Sequence, residues 1–469
     1  MNPDFINSLT NNKNKQFYLF ALLFAALSVV SPFIPATGLI LLATGATIYK
    51  FGKESLLYVV VFLYFIITSD FSESLRLALN YGSLLILGVL YLWEFGITFP
   101  AVKQIPTQLI LLVFYTLTSM TISMLGSEDP MKGSILIVKQ ILFFFIVYVI
   151  YSFLRSDKVL FNWMRLIIIT STVLAFSLLY DTGQLLLSAS SLVEVGVIRT
   201  SGLYGNANAI ALFFVVSIPI MIVMAIENKS EKGKYGYYPF LIALNFLALV
   251  LTNSRASFLG VMVSVFYLIF HYKKTLFFRT LYVGMGLLLI VLLIDPLREF
   301  FLMAIRYERV FENIRGYYWQ IAAEIISDNP IFGVGPGLFE DNIYRYLPVQ
   351  MNSFDEFQLH WARSGTTHNF ILYRFSEYGI FGVINAVFFI FIIFNFSGKI
   401  LSNIGIKNNY RYIVYGIRGL SFGFMARSLF ETSGILTNGW ITRDLPFWLA
   451  FILLTYIYEQ TSKPERASL

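Results

Sequence analysis

Apolar runs of membrane-spanning length recur along almost the whole chain, and they constrain its fold more than any other feature. Two of them cover residues 105–125 and 135–154. A helix that crosses the hydrocarbon core of a bilayer needs about 20 mostly apolar residues, because lipid excludes unpaired backbone groups. The 469 residues are 57% hydrophobic and 13% charged, whereas soluble domains are about a quarter charged. The sequence therefore predicts an all-α polytopic membrane protein.

We predict about twelve to fourteen membrane spans within a single membrane domain, 1–469, that no soluble domain interrupts. The first apolar run is interpreted as a retained helix, because no small-residue cleavage site of a signal peptide follows it. The predicted spans are 17–30, 34–49, 55–68, 75–93, 105–125, 135–154, 161–180, 207–226, 239–252, 257–272, 276–294, 370–397, 412–430 and 447–458.

Lysine and arginine orient these spans. With both termini in the cytoplasm, every connection on that side contains a basic residue, such as Lys103 or Arg155, as the positive-inside rule requires. Residues 295–369 then form one large loop on the other, periplasmic side of a bacterial inner membrane. The net charge of +7 is dispersed between apolar spans, so it indicates topology and no nucleic-acid partner.

The outer connections contain arginine where the topology requires no positive charge. Arginine binds phosphate or carboxylate through a rigid, bidentate fork, so the pattern predicts a phosphorylated, membrane-bound ligand. Contacts with lipid headgroups or neighbouring carboxylates account for some of these arginines. They are Arg199, Arg255, Arg298, Arg306, Arg309, Arg315, Arg345, Arg363 and Arg443, with Arg374 and Arg427 in the outer halves of spans.

The chain has no cysteine and three histidines. This composition excludes disulfides, thiolate metal sites and cysteine nucleophiles, and it argues against a histidine-rich metal centre. We therefore expect no metal and no other cofactor.

Two motifs at the outer boundary suit anion binding. In the stretch from Arg199 to Asn208, Gly202 and Gly205 permit tight turns, and Asn206 can cap the next helix. A helix N-terminus beside an arginine binds anions, although an ordinary loop-to-helix junction explains the stretch equally well. The turn Thr252-Asn253-Ser254-Arg255 places a costly charge at the bilayer edge; contact of Arg255 with headgroups is the alternative.

Two further motifs lie in and after the large outer loop. The run from Asn329 to Gly337 has three glycines but lacks the Lys-Ser/Thr of a phosphate-binding P-loop, so a structural turn is favoured. An amphipathic helix is predicted just before it, over 316–326, with Trp319, Ala322, Ala323 and Ile326 on one face. His368 stands where the loop re-enters the membrane, beside Asn369 and near Arg363 and Arg374. A neutral histidine there can take a proton from a hydroxyl, although a lone histidine is more often structural.

Taken together, these four motifs resemble the O-antigen ligase/polymerase family over roughly residues 195–440. Their order along the chain and their predicted side of the membrane also agree with that family. The matching elements are the Arg199–Asn208 stretch, Thr252–Arg255, the Arg315–Gly337 run, and His368-Asn369 followed by Gly379-Ile380-Phe381-Gly382. Two residues depart from the family pattern. Ala207 replaces the proline of the Asn-Pro-Asn sequence that is common in the family. Val383 stands where ligase-type sequences tend to have threonine.

The resemblance implies a metal-independent, inverting glycosyltransferase of the membrane GT-C type. Its donor would be a glycan on undecaprenyl pyrophosphate at the periplasmic face, in O-antigen or surface polysaccharide assembly. Arg199 and Arg255 would bind the donor pyrophosphate, and His368 would activate or orient the acceptor hydroxyl. Further candidates are Arg315, Arg363, Arg374 and Asn369. The acceptor would be another lipid-linked glycan in a polymerase, which Val383 favours, or a lipid A core in a ligase.

Two other functions stay open at this point. A metal-dependent GT-C enzyme would use acidic residues of an early outer loop, where Asp70 and Glu73 are the evident candidates. A transporter or flippase of polyprenyl-linked glycans would recruit an anionic substrate with the same arginines. Transporters, however, usually place ionisable residues near the bilayer midplane and contain repeated halves, and we find no repeat here.

Overall fold

The computed structural model describes residues 54–66, 73–99, 105–188, 199–232, 235–304, 314–346, 365–402 and 408–462. These ranges contain helices and no strand, which confirms the all-α prediction. The α-helices are α1 (Glu54–Ile66), α2 (Glu73–Phe95), α3 (Thr107–Leu125), α4 (Pro130–Ser152), α5 (Asp157–Ser188), α6 (Ala207–Lys232), α7 (Tyr238–Leu251), α8 (Arg255–Tyr272), α9 (Lys274–Leu293), α10 (Asp295–Ala304), α11 (Ile314–Asp328), α12 (Phe339–Asn342), α13 (Phe370–Ser402), α14 (Asn408–Ser428) and α15 (Ile441–Ser462).

Every predicted span from residue 55 onwards coincides with one of these helices. In the described ranges, eight helices are long and apolar enough to cross a membrane, and α1 and α7 are shorter apolar helices. The polytopic character is thus confirmed. The predicted spans 17–30 and 34–49 lie outside the described residues, so the total number of spans stays a prediction.

Helix α6 forms the centre of the bundle. In its most apolar stretch of 18 residues, 94% of the residues are buried. The reason is that five helices pack around it: α5, α7, α8, α14 and α15. Helix α9 is the opposite case: it is strongly apolar, yet none of its side chains is buried. Helix α6 is therefore surrounded by protein, whereas α9 faces another apolar environment, as expected for a bundle in lipid.

Helices α8 and α14 approach each other closely enough for their backbones to touch. A Cβ added to Gly423 would lie 2.2 Å from the carbonyl oxygen of Gly260, and one added to Gly419 would lie 2.9 Å from that of Ser264. Small residues at such crossings are typical of helix pairs in membranes, where packing rather than water drives association. The contact places Arg427, one turn beyond Gly423, beside the first turn of α8.

Helix α13 is broken at Gly379, whose φ of 59° and ψ of −151° are not helical. The break receives the glycine-rich turn that follows α11. The amide N–H of Val334 donates to the carbonyl oxygen of Ser376 (2.9 Å), and that of Ile380 donates to the carbonyl oxygen of Pro330 (3.0 Å). A Cβ on Gly333 would lie 2.4 Å from the backbone of Glu377. These glycines serve close backbone packing, in line with the structural-turn interpretation.

Helix α11 forms where the sequence predicts an amphipathic helix, and it ends at Asp328 before Asn329-Pro330. The face predicted from the sequence, with Trp319, Ala322, Ala323 and Ile326, differs by about one residue from the face that is buried. The helix packs on α12, the following 3-10 turn and the start of α13, and its buried side chains are Tyr318, Ile321, Ala322 and Ile325, whereas Ala323 is exposed. Tyr318 fits there because Gly365 has no side chain.

Several contacts join connections or helix ends that the predicted topology places on the same side of the membrane. Arg345 pairs with Glu128 (2.6 Å) and Thr200 bonds to Leu251, all at predicted outer positions. Arg155 pairs with Glu94 (3.0 Å), both at predicted inner positions. Which end faces the periplasm stays a prediction.

Candidate functional site

The buried carboxylate of Glu431 lies at the centre of the candidate site, in the connection between α14 and α15. Its Oε1 accepts a hydrogen bond from Arg315 (2.8 Å, an ion pair) and another from the Nδ2 of Asn208 (2.7 Å). Its Oε2 lies 3.5 Å from the Nδ1 of His368. Three segments that are far apart in the sequence therefore meet at one acidic side chain.

The surroundings of Glu431 keep it ionised. Burial, with only 4% of the residue exposed, raises the pKa of the carboxyl. The contact with His368 and the positive charges of His368, Arg427 and Arg315 outweigh burial and lower this pKa to about 2. The site thus holds a fixed negative charge beside the imidazole at any physiological pH.

His368 is held in an uncommon backbone conformation just before α13. Its φ is 47°, which few residues other than glycine adopt. The indole Nε1 of Trp319 donates to the carbonyl oxygen of Thr367 (2.9 Å), and the Tyr318 ring lies 5.9 Å from the imidazole ring. The histidine side chain is 28% exposed, so the surrounding contacts orient it and still leave part of it accessible.

Asn369 caps α13. Its Oδ1 accepts from the amide N–H of Leu372 (3.0 Å), and its Nδ2 donates to the carbonyl oxygen of Leu429 (3.1 Å). Asparagine at this position satisfies an amide that the helix leaves unpaired. The side chain thereby fixes the start of α13, and with it His368, to the end of α14.

The motif from Arg199 to Asn208 is a double glycine turn followed by a capped helix, as predicted. Gly202 and Gly205 have φ values of 54° and 56°. The Oδ1 of Asn206 accepts from the amide N–H of Asn208 (2.9 Å), at the start of α6. The exposed guanidinium of Arg199 donates to the Oδ1 of Asn208 (2.6 Å), which connects it to Glu431.

Arg255 is the first residue of α8 and is exposed. Its turn is joined to the Arg199 motif, because the amide N–H of Thr200 donates to the carbonyl oxygen of Leu251 (3.3 Å). It is also joined to Glu431 through Arg427, whose Nε donates to the hydroxyl of Ser257 (3.1 Å). Arg255 therefore stands at the rim of the same site.

Arg427 is 1% exposed and acts as a buried tie between several segments. Besides Ser257, its guanidinium donates to the carbonyl oxygens of Ser433 and Asn208. Arg443 lies 3.5 Å above the ring of Trp440 and also interacts electrostatically with Glu431. The site as a whole combines one buried carboxylate with several guanidinium groups.

Four long helices, α6, α8, α13 and α15, begin beside this site, as the contacts of Asn208, Ser257, Asn369 and Arg443 show. Each helix N-terminus carries a partial positive charge and unpaired amides. Together with the arginines, they make the region electropositive. Such an arrangement can bind a multiply charged anion next to a histidine that has a carboxylate partner.

The structure brings Arg199, Arg255, Arg315, His368 and Asn369 into one region. It places Arg374 elsewhere: the side chain is 1% exposed, donates to the Oδ1 of Asn385 (3.0 Å) and lies 4.0 Å from the ring of Tyr378. Among the described hydrogen bonds and ion pairs, none connects Arg374 to Glu431. The remaining candidates, Arg363 and Asp70, lie outside the described residues.

The sequence reasoning missed Glu431 and the roles of Asn208 and Arg427. A usable signal existed, because Glu431 is an acidic residue directly after an apolar span, four positions beyond Arg427, on a face with an excess of arginine. In the ranges that the structure describes, no three His, Asp or Glu side chains are grouped for metal binding.

Residues 240–387 match the family model described as O-antigen ligase. No curated protein matches the chain. The matched segment runs from α7 into α13 and includes Arg255, Arg315 and His368, whereas Arg199 and Glu431 lie outside it. The match confirms the predicted resemblance, and it supports a multi-pass membrane protein of the O-antigen ligase/polymerase type.

Proposed function

We propose that the protein, given its O-antigen ligase segment, is a metal-independent, inverting glycosyltransferase of the GT-C type. It transfers a glycan from undecaprenyl pyrophosphate at the periplasmic face of the inner membrane. The observation that carries the proposal is the contact of Glu431 with both His368 and Arg315, within a region rich in arginine. The contact places a base beside a region whose other arginines can bind a departing diphosphate.

The base is the imidazole of His368. An acceptor hydroxyl becomes a better nucleophile as it loses its proton, and histidine can accept that proton near neutral pH. The ionised Glu431, 3.5 Å from Nδ1, stabilises the imidazolium that forms and favours one orientation of the ring. Carboxylate–histidine pairs of this kind act in many enzymes that activate a hydroxyl.

The leaving group is the polyprenyl diphosphate. As the bond between sugar and phosphate breaks, negative charge grows on the diphosphate, so fixed positive groups lower the barrier more than they stabilise the bound substrate. Arg199 and Arg255 are exposed at the rim and would make these contacts. Arg315 is already paired with Glu431, so its first role is to hold that carboxylate and α11 in place.

The acceptor separates two versions of the proposal. A polymerase adds the glycan to another lipid-linked glycan, and a ligase adds it to a lipid A core. We favour the polymerase because Val383 replaces the threonine that ligase-type sequences tend to have. The donor site described above serves either reaction.

The test incubates the purified protein with a lipid-linked oligosaccharide, with and without lipid A core, and separates the products on a gel. A ladder without core identifies a polymerase, and a shift only with core identifies a ligase. Activity that survives EDTA and Asp70→Ala removes the metal-dependent alternative. Translocation of the substrate in liposomes without any product would instead identify a flippase and overturn the proposal.

The variants Arg199→Ala, Arg255→Ala and His368→Ala test the assignment of residues. Each is expected to lower turnover by about a hundredfold or more, since one fixed group at the reacting centre contributes on the order of 3 kcal/mol. Wild-type turnover in all three variants, in protein that inserts normally, would contradict the assignment.

A further inference from the structure

The side chain of Asn208 lies between two groups of opposite charge. Its Oδ1 accepts from the guanidinium of Arg199 (2.6 Å), and its Nδ2 donates to the Oε1 of Glu431 (2.7 Å). Its own carbonyl oxygen accepts from the buried guanidinium of Arg427 (3.2 Å). One half-buried residue thus touches a rim arginine, the central carboxylate and the buried tie.

An amide side chain satisfies both neighbours at once. A guanidinium offers only donors and an ionised carboxylate offers only acceptors, whereas asparagine presents an acceptor on one atom and two donors on the other while it stays neutral. Aspartate would present a second carboxylate to Glu431, and alanine would leave both charged groups without this partner. The chemistry of the site therefore favours a neutral side chain with both a donor and an acceptor here, which the amide provides.

Asn208 also keeps the two charges apart. Arg315 already binds the Oε1 of Glu431 directly (2.8 Å), whereas Arg199 is linked to the same oxygen through the amide of Asn208. With the amide between them, Glu431 still faces the imidazole, and Arg199 is directed to the rim. The position of Asn208 is itself fixed, because its amide N–H bonds to the cap Asn206 (2.9 Å) at the start of α6.

We propose that Asn208 is a positioning residue that couples diphosphate binding by Arg199 to proton transfer by the Glu431–His368 pair. The inference rests on the proposed glycosyl transfer. It predicts that a change at Asn208 alters both the affinity for the diphosphate and the pH dependence of turnover. A residue that only stabilised the fold would alter neither of them specifically.

The experiment compares Asn208→Ala, Asn208→Asp and Asn208→Gln in the full-length protein. Loss of a hydrogen bond to a charged group changes an equilibrium by about tenfold to a hundredfold, so Asn208→Ala is expected to lower kcat/KM for the lipid-linked oligosaccharide by that factor. Asn208→Gln retains the amide and should recover part of the loss. Asn208→Asp should insert normally, because an acidic residue suits the first turn of a helix.

The pH profile gives the specific readout. Among the described residues, the titratable groups that face His368 are Glu431 and Tyr318, with Arg315 and Arg427 beyond the carboxylate. The added carboxylate in Asn208→Asp favours the protonated imidazole, so the acid limb of kcat/KM should move to higher pH. Asn162→Asp adds the same charge at another half-buried asparagine, which likewise accepts from an arginine, Arg165 (3.1 Å), and should leave the limb unchanged.

Binding of inorganic diphosphate, measured by calorimetry, separates this inference from the proposed function. Weaker binding in Asn208→Ala than in wild type supports the coupling to Arg199 even if no transfer is detected. Full transfer by wild type together with unchanged kcat/KM and diphosphate binding in Asn208→Ala overturns the inference alone. An acid limb that does not move in Asn208→Asp also overturns it.

Discussion

Replacement of Glu431 by glutamine tests the centre of the site most directly. Glutamine keeps the shape of the side chain and removes its charge. It leaves the guanidinium of Arg315, 2.8 Å away, without its ionic partner, and it deprives His368 of the negative charge beside Nδ1. The variant therefore combines a cost in stability with a cost in catalysis, and the two can be measured separately.

The cost in stability follows from the pKa of Glu431, which falls from 4.5 to about 2 on folding. Each pKa unit corresponds to about 1.4 kcal/mol, so the environment stabilises the ionised form by about 3 kcal/mol. A depressed carboxyl pKa contributes its full stability above the pKa of the unfolded chain, and it loses that contribution as the pH falls through the folded value. At neutral pH the part of this contribution that Arg427 and Arg315 supply is present, and Glu431→Gln should lose it.

The cost in catalysis follows from the neighbouring imidazole. Without the carboxylate, protonation of His368 is less favourable, so the acid limb of kcat/KM should move to lower pH and the base should be weaker. We expect turnover at neutral pH to fall on the order of a hundredfold. Turnover is measured with the lipid-linked oligosaccharide, and stability by thermal unfolding in detergent.

Asp341→Asn is the matched control. Asp341 pairs with Lys132 at 2.6 Å, but both side chains are exposed, at 52% and 39%, and exposed ion pairs contribute about 0–1 kcal/mol. This variant should keep wild-type stability and turnover. If Glu431→Gln behaved like the control in both measurements, Glu431 would have no part in holding or activating His368.

Two glycine substitutions test the packing that positions the site. In Gly379→Ala, a Cβ would lie 2.1 Å from the carbonyl oxygen of Ile331, at a φ of 59°. Thermal unfolding of this variant should show a loss of about 3 kcal/mol or more in stability. The control is Gly398→Ala in the same helix, where a Cβ meets nothing within 4 Å, and it should be neutral or slightly stabilising. In Gly423→Ala, a Cβ would lie 2.2 Å from a carbonyl oxygen of α8, so both stability and turnover should fall. Its control, Gly284→Ala, has open space around the added Cβ and should change neither. Equal behaviour of variant and control within either pair would contradict the packing described.

The membrane fold could be predicted from the sequence because each apolar run is a local signal. A span such as 207–226 needs no knowledge of its neighbours to be recognised, since lipid imposes the same requirement on every crossing helix. The ends of helices were predictable for a similar reason: Asn206 and Asn329-Pro330 act on their own backbone. The buried face of α11 was not, because its partners are distant in the sequence and were unknown.

Part of the site could be predicted from charge and position. The positive-inside rule does not account for arginine at the predicted outer boundary, and this discrepancy made Arg199, Arg255 and Arg315 candidates. Glu431 was missed because a single carboxylate in a loop forms no local sequence pattern. Its role follows from contacts with three segments that are distant in the sequence. Arg374 shows the converse, since an outer-half position in the sequence did not reveal that its guanidinium is buried against Asn385.

The backbone contact between α8 and α14 has a consequence for how the site meets its ligand. Arg255 begins one of these helices and Arg427 stands near the end of the other, so the spacing between their Cα atoms is set by two helices whose backbones are in close contact at Gly260 and Gly423. The arrangement is preorganised: its order is established when the bundle assembles, well before any substrate arrives. Charge that develops during the reaction then meets dipoles that need not reorient, which is the condition under which an electrostatic site is most effective.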